Sequence, residues 1–167
     1  MPTIIRRMEF DSGHRVLRHE SKCKHLHGHR YVCLLHVRCE RSEMDALGRV
    51  VDFGVVKDIV GRWIDANLDH NMILHPEDPL LQDIEIDGKF ISGLELGTDL
   101  VGRPPYVMPL SMPNPTAENI AQVILDMAKV LIHDVTAIKV CGIELYETPN
   151  CSVRIFDDEE CTTSRED

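Results

Sequence analysis

Cys23-Lys24-His25-Leu26-His27-Gly28-His29 runs without a break into Arg30-Tyr31-Val32-Cys33-Leu34-Leu35-His36-Val37. The second half is apolar and rich in strand formers, so it predicts a β-strand that begins at the histidines. Side chains two apart on a strand share a face, which puts His27 and His29 side by side. Two imidazoles on one face are half of a metal site. Upstream, His14 in Glu9-Phe10-Asp11-Ser12-Gly13-His14 offers a third nitrogen. Three histidines leave the fourth zinc position open, as catalytic zinc requires, whereas structural zinc usually takes four protein ligands. Cys23 keeps a second reading open. A thiolate serves as zinc ligand or as reactive group, and with the three histidines it would close the site of a zinc-stabilised binding module.

Working outward, Thr3 to Phe10 reads as a strand antiparallel to Arg30 to Cys39, with the His/Cys loop between them. A turn at Asp45 to Gly48 leads to Asp52, which is placed to cap a helix by accepting from its free N–H groups. Val55, Val56, Ile59, Val60, Trp63 and Ile64 follow a 3.6-residue period, and that helix ends near Asn67. Residues His75 to Asn114 form a long insert with prolines at 76, 79, 104, 105, 109 and 113. Within it, the alternation of Asp83 to Ile91 around Asp87-Gly88 signals a hairpin. A second helix starts at Asn114-Pro115-Thr116, with Ile120, Val123, Ile124, Met127, Val130 and Leu131 on its apolar face. Thr136 to Glu147 and Ser152 to Phe156 are two further strands. The order ββααββ favours an α+β fold, a four-stranded antiparallel sheet with two helices on one face and an insert between the helices.

The 167 residues, 43% of them hydrophobic, suit a single domain over 1–156, followed by an acidic tail at 157–167. A net charge of −10 argues against a nucleic-acid partner. The loop from His14 to Arg30 runs the other way. Arg15, Arg18, Lys22, Lys24 and Arg30 there face only Glu20, which suits an anionic ligand. The start of the chain lacks the long apolar run of a signal peptide, and no segment has the length of a membrane span. The expectation is a cytoplasmic protein whose six cysteines are thiols, with Cys33, Cys39 and Cys141 packed in strands.

Other reactive groups are ambiguous one by one. Asp69-His70 follows the first helix, where such a pair commonly serves as a cap, and Glu147 in Leu145-Tyr146-Glu147-Thr148 reads as a strand-end carboxylate. A zinc hydrolase would need a carboxylate or histidine poised on water at the metal, and no residue stands out in that role. Taken in order, six pieces carry more information: Phe10-x-x-x-His14, Cys23-x-x-x-His27-Gly28-His29, Val51-Asp52-Phe53, Leu68-Asp69-His70, Pro115-Thr116-Ala117-Glu118-Asn119 and Tyr146-Glu147-Thr148. Over residues 8–75 and 115–156 the chain resembles the 6-pyruvoyltetrahydropterin synthase and 6-carboxytetrahydropterin synthase family.

The resemblance implies a tunnelling fold, Zn2+ held by His14, His27 and His29, and Cys23 as the base that moves carbon-bound protons. It pairs Cys23 with Asp69 and His70 as a relay. Glu147 would anchor the pterin ring, with Thr116 and Glu118 also at the substrate. A cysteine thiol ionises near about 8.5 in peptides and becomes a usable base beside an imidazolium or another cation. The substrate implied is a small pterin triphosphate, whose phosphates the basic loop at Arg15, Arg18, Lys22 and Lys24 would face. The assembly implied is a homohexamer, a dimer of trimers with active sites between subunits. A three-residue spacing from Cys23 to His27 matches the bacterial 6-carboxy branch, with release of acetaldehyde and triphosphate; the alternative is the 6-pyruvoyl branch, which keeps the three-carbon side chain. The insert departs from the compact bacterial pattern.

Overall fold

The computed structural model describes residues 2–39, 44–81, 84–86, 89–91, 104–133 and 138–157. Strand β1 (Thr3–His14) and strand β2 (His27–Cys39) form a long antiparallel ladder in which His14 lies opposite His27 and Ser12 opposite His29. Helix α1, over residues 53–67, is capped by Asp52, whose carboxylate accepts from the Gly54 N–H at 2.8 Å. Its middle, Lys57–Gly61, is a π-helical segment. The turn before it closes as expected, with the Gly48 N–H donating to the Asp45 carbonyl at 2.8 Å and Gly48 at φ 78°. Next come β3 (Asn71–Leu74), the hairpin strands β4 (Ile84–Ile86) and β5 (Lys89–Ile91), and β6 (Tyr106–Val107). Helix α2 (Ala117–Ile132), β7 (Ile138–Thr148) and β8 (Cys151–Phe156) complete the chain.

The main sheet has six strands in the order β6-β3-β1-β2-β7-β8, two more than the sequence suggests. Its antiparallel centre, β1-β2-β7-β8, is the expected four-stranded unit. The additions, β3 parallel to the last three residues of β1 and β6 parallel to β3, come from the approach to the insert and from within it, and pair the outer edge of β1 over Ser12 to His14. An open edge is a row of unpaired backbone groups, and pairing it satisfies them. The hairpin of β4 and β5 forms its own two-stranded sheet, while its turn at 87–88 and the tail at 158–167 lie outside the described residues. The fold class is α+β, as expected.

Both helices pack on one sheet face. Phe10, Tyr31, Cys33, Leu35, Val37, Val140, Ile143 and Leu145 meet Val56, Val60 and Ile64 of α1 and the buried stripe of α2. That stripe is Ile120, Ala121, Val123, Ile124, Leu125, Ala128 and Ile132. Val130 was expected in it but is 67% exposed, and Met127 and Leu131 are only half-buried. Ala121, Leu125 and Ala128 are buried in their place, so the buried face is rotated from the one the periodicity marks. Cys33, Cys39 and Cys141 are buried in strands, and burial pushes the Cys33 thiol up to about 12. No helix among the described residues is long and apolar enough to cross a membrane.

Candidate metal centre and active site

The β1-β2 ladder brings its three histidines together where the strands enter and leave the loop. His14, His27 and His29 each offer a donor atom within 4.8 Å of the others. Their ring centroids are 4.5 to 5.2 Å apart. Gly28 permits the closeness, because a Cβ there would stand 2.9 Å from the Ser12 carbonyl oxygen. Two of the rings are oriented from behind. His14 donates from Nδ1 to the carbonyl oxygen of Pro115 at 2.7 Å, and His27 from Nδ1 to that of His25 at 2.8 Å. A carbonyl only accepts, so each Nδ1 carries a proton and a neutral ring would offer its Nε2 lone pair, the outer-shell arrangement of metal-ligating histidines. Burial shifts His14 below the ordinary histidine range, against the opposing pull of the Pro115 hydrogen bond, and so favours the neutral ring a metal needs. The donor set fits Zn2+.

Two further groups stand at this cluster. Glu147 at the end of β7 has Oε1 3.6 Å from His14 Nε2 and 3.9 Å from His29 Nε2. The buried Tyr31 hydroxyl lies 3.4 Å from both His14 Nε2 and Glu147 Oε1. Burial first, then the Glu147 charge, raises the Tyr31 pKa, so the phenol stays protonated. Tyr31 was not among the expected site residues, yet it lies two positions past His29 and the strand period that pairs His27 with His29 also leads to it.

Cys23 lies apart from the three-histidine group, half-buried in a 3-10 turn, Lys22–Lys24. A four-ligand structural site is therefore not assembled. Asp69 and His70 form a close pair at the end of α1, with His70 Nδ1 2.7 Å from Asp69 Oδ2. Backbone bonds hold the pair to β1: the Asp11 N–H donates to Asp69 Oδ1 at 2.9 Å, and the His70 N–H to the Asp11 carbonyl at 2.6 Å. His70 sits at φ 51°, and its side chain is 73% exposed. No hydrogen bond among the described residues joins this dyad to Cys23. Thr116 caps α2, its hydroxyl oxygen accepting from the Asn119 N–H at 3.3 Å, and Glu118 is exposed in the first turn.

The basic loop differs from expectation. Arg15 is engaged by the fully buried carboxylate of Asp78 through Nε at 2.7 Å and through a second nitrogen. Arg18 lies 3.5 Å from Glu77, both exposed. Of the cations expected to face a polyanion, Arg18, Lys22 and Lys24 are exposed, the two lysines in the turn that carries Cys23.

Residues 3–158 match the family described as 6-pyruvoyl tetrahydropterin synthase. The chain belongs to this family. The match runs through the insert, beyond the two blocks in which the resemblance is legible by motif. A protein of Rickettsia conorii named 6-carboxy-5,6,7,8-tetrahydropterin synthase is 40% identical over 156 residues, 93% of this chain and 100% of that one. One of the same name from Haemophilus influenzae is 29% identical over 87% of this chain and 92% of its own length. Among solved structures, an uncharacterised protein from Wolinella succinogenes superposes with a TM-score of 0.66 at 25% identity, covering 94% of this chain and 98% of that one. A Plasmodium vivax 6-pyruvoyltetrahydropterin synthase does so at 0.63 and 19%, over 93% and 98%, a likeness of fold. The tunnelling fold is thus the fold of this chain.

Proposed function

We propose that the chain is a zinc-dependent 6-carboxy-5,6,7,8-tetrahydropterin synthase. As such it is a cytoplasmic lyase that converts 7,8-dihydroneopterin triphosphate to 6-carboxytetrahydropterin, acetaldehyde and triphosphate on the way to queuosine and other 7-deazaguanine products. The observation that carries the reading is the convergence of His14, His27 and His29, rings oriented from behind, in a member of a tetrahydropterin synthase family. The name borne by its long-matching relatives supports the 6-carboxy branch.

Zn2+ held by these histidines supplies Lewis acidity that acidifies the C–H bonds next to the oxygens of the substrate side chain. Cys23 takes and returns the carbon-bound protons. His70, its Nδ1 proton directed at Asp69, keeps Nε2 for exchanging a proton with the thiol or the substrate. Its exposure supports an active site shared between subunits of a homohexamer, a dimer of trimers. Glu147 accepts from the 2-amino and N3–H edge of the pterin, a fork that matches a carboxylate. Thr116 and Glu118, at the start of α2, bind the same substrate.

Product analysis tests the proposal. The purified protein with 7,8-dihydroneopterin triphosphate should yield 6-carboxytetrahydropterin by mass-detected chromatography, with acetaldehyde in an aldehyde trap. Pyruvoyltetrahydropterin without acetaldehyde would move the chain to the other branch.

A further inference from the structure

In the loop that carries Cys23, Val16, Leu17 and Cys23 are only half-buried and no residue between 15 and 26 is fully buried, so apolar packing contributes little to its position. Polar ties at four consecutive residues fix it. His14 donates to the Pro115 carbonyl, and Arg15 grips Asp78. The Val16 N–H donates to the Cys23 carbonyl at 2.9 Å. Leu17 is held at both backbone groups by Asn114, whose Oδ1 accepts from the Leu17 N–H at 2.9 Å and whose Nδ2 donates to the Leu17 carbonyl at 3.3 Å.

The two clamping side chains come from opposite ends of the insert, and each is itself anchored. Asp78 is wholly buried, and its Oδ1 also accepts from the Leu80 N–H at 2.9 Å. The Asn114 carbonyl accepts from Asn119 Nδ2 at 2.9 Å and from the Thr116 N–H at 2.9 Å, tying it to the capped start of α2. Between the clamped residues, the Val16 bond transfers the registration to Cys23. We propose that Asp78 and Asn114 are positioning residues that fix the Cys23 loop relative to the histidine cluster. The insert thereby contributes to proton transfer without touching substrate. This inference rests on the assignment of Cys23 as the proton-transfer base.

The test uses zinc-loaded Asp78→Asn, Asn114→Ala and Asn114→Asp proteins. Asn114→Ala leaves the backbone carbonyl bonds that seat α2, so its fold is retained even should Asp78→Asn fail to fold. Site-resolved mass spectrometry follows iodoacetamide alkylation of Cys23, a readout that needs no substrate and sets aside the exposed Cys151. The expected result is a severalfold change in Cys23 alkylation and a kcat lowered by about 10- to 100-fold with KM little changed, since small misplacements of reacting groups carry large rate penalties. Zinc content should stay at the wild-type level. Asn114→Asp, which keeps the acceptor for Leu17, should recover part of the loss. Wild-type alkylation and wild-type kcat in folded Asn114→Ala, beside an inactive Cys23→Ala, would overturn the proposal. Full turnover in Cys23→Ala would instead refute the base assignment, and the alkylation comparison would still decide the clamp.

Discussion

The Nδ1–H of His14 donates to the carbonyl oxygen of Pro115 at 2.7 Å, joining the end of β1 to the approach of α2 across 101 residues of sequence. The bond leaves Nε2 of His14 facing the Tyr31 hydroxyl at 3.4 Å and Glu147 Oε1 at 3.6 Å, beside the other two histidines. A metal held by these histidines would therefore depend on the seating of α2 on the sheet. We expect one zinc per chain, lost in His14→Ala, His27→Ala and His29→Ala. Elemental analysis checks this, and wild-type zinc in the latter two would remove the metal assignment.

Cys23 lies outside the histidine group, so Cys23→Ala should keep its zinc and its fold while losing turnover. His70→Ala should slow turnover by about 100-fold or more, the usual contribution of a general acid or base. Zinc assay and steady-state kinetics on the same samples separate the roles. Loss of zinc from Cys23→Ala would make the thiol a ligand.

Gly28 separates two of the histidines and faces the Ser12 carbonyl oxygen of the adjacent strand. In Gly28→Ala the new methyl group would stand against rigid backbone. The ladder must open there, at a cost of about 1 to 3 kcal/mol. Urea denaturation should show a lower midpoint, and zinc should be held less tightly. An unchanged midpoint would mean that the strands move apart without penalty.

Asp78 sets an acid limit on stability. Burial works to raise its pKa, but the hydrogen bonds from Arg15 and the Leu80 N–H outweigh it and hold the carboxyl below the usual 3.8. The unfolded chain therefore binds more protons than the folded one between the two values. The stabilisation is present in full above about pH 4 and is lost as pH falls through the folded pKa. Asp78→Asn should be less stable than wild type at neutral pH, with a gap that narrows toward pH 3. Thermal melts across that range measure it, and a gap independent of pH would refute the linkage.

Replacing residues 82–103 by a short linker, with 75–81 and 104–114 kept, separates the clamp from the rest of the insert. A lid or an added subunit contact in that segment predicts a raised KM or a smaller oligomer, with Cys23 alkylation unchanged. Kinetic assays and light scattering distinguish these outcomes. Unchanged KM and mass would leave the clamp as the insert's contribution.

What the sequence by itself determined is local in origin. A two-residue period puts His27 and His29 on one face, and Asp52 and Thr116 mark helix starts because short polar side chains satisfy free N–H groups. The Asp45 to Gly48 turn is legible for the same reason. The tertiary structure alone decided the rest. Whether Asn71–Leu74 is a strand depends on the exposed edge of β1, which no window around residue 71 contains. Periodicity assigned Val130 to the apolar face of α2, but the folded helix buries Ala121, Leu125 and Ala128 and leaves Val130 exposed. Asp78 looks like one acid among many in an acidic segment, and its burial becomes tolerable only because Arg15, 63 residues earlier, meets it in space. Helix periods, strand alternation and caps act over a few residues and can be read along the chain. Edge pairing, helix rotation and the burial of charge depend on partners that folding alone brings together.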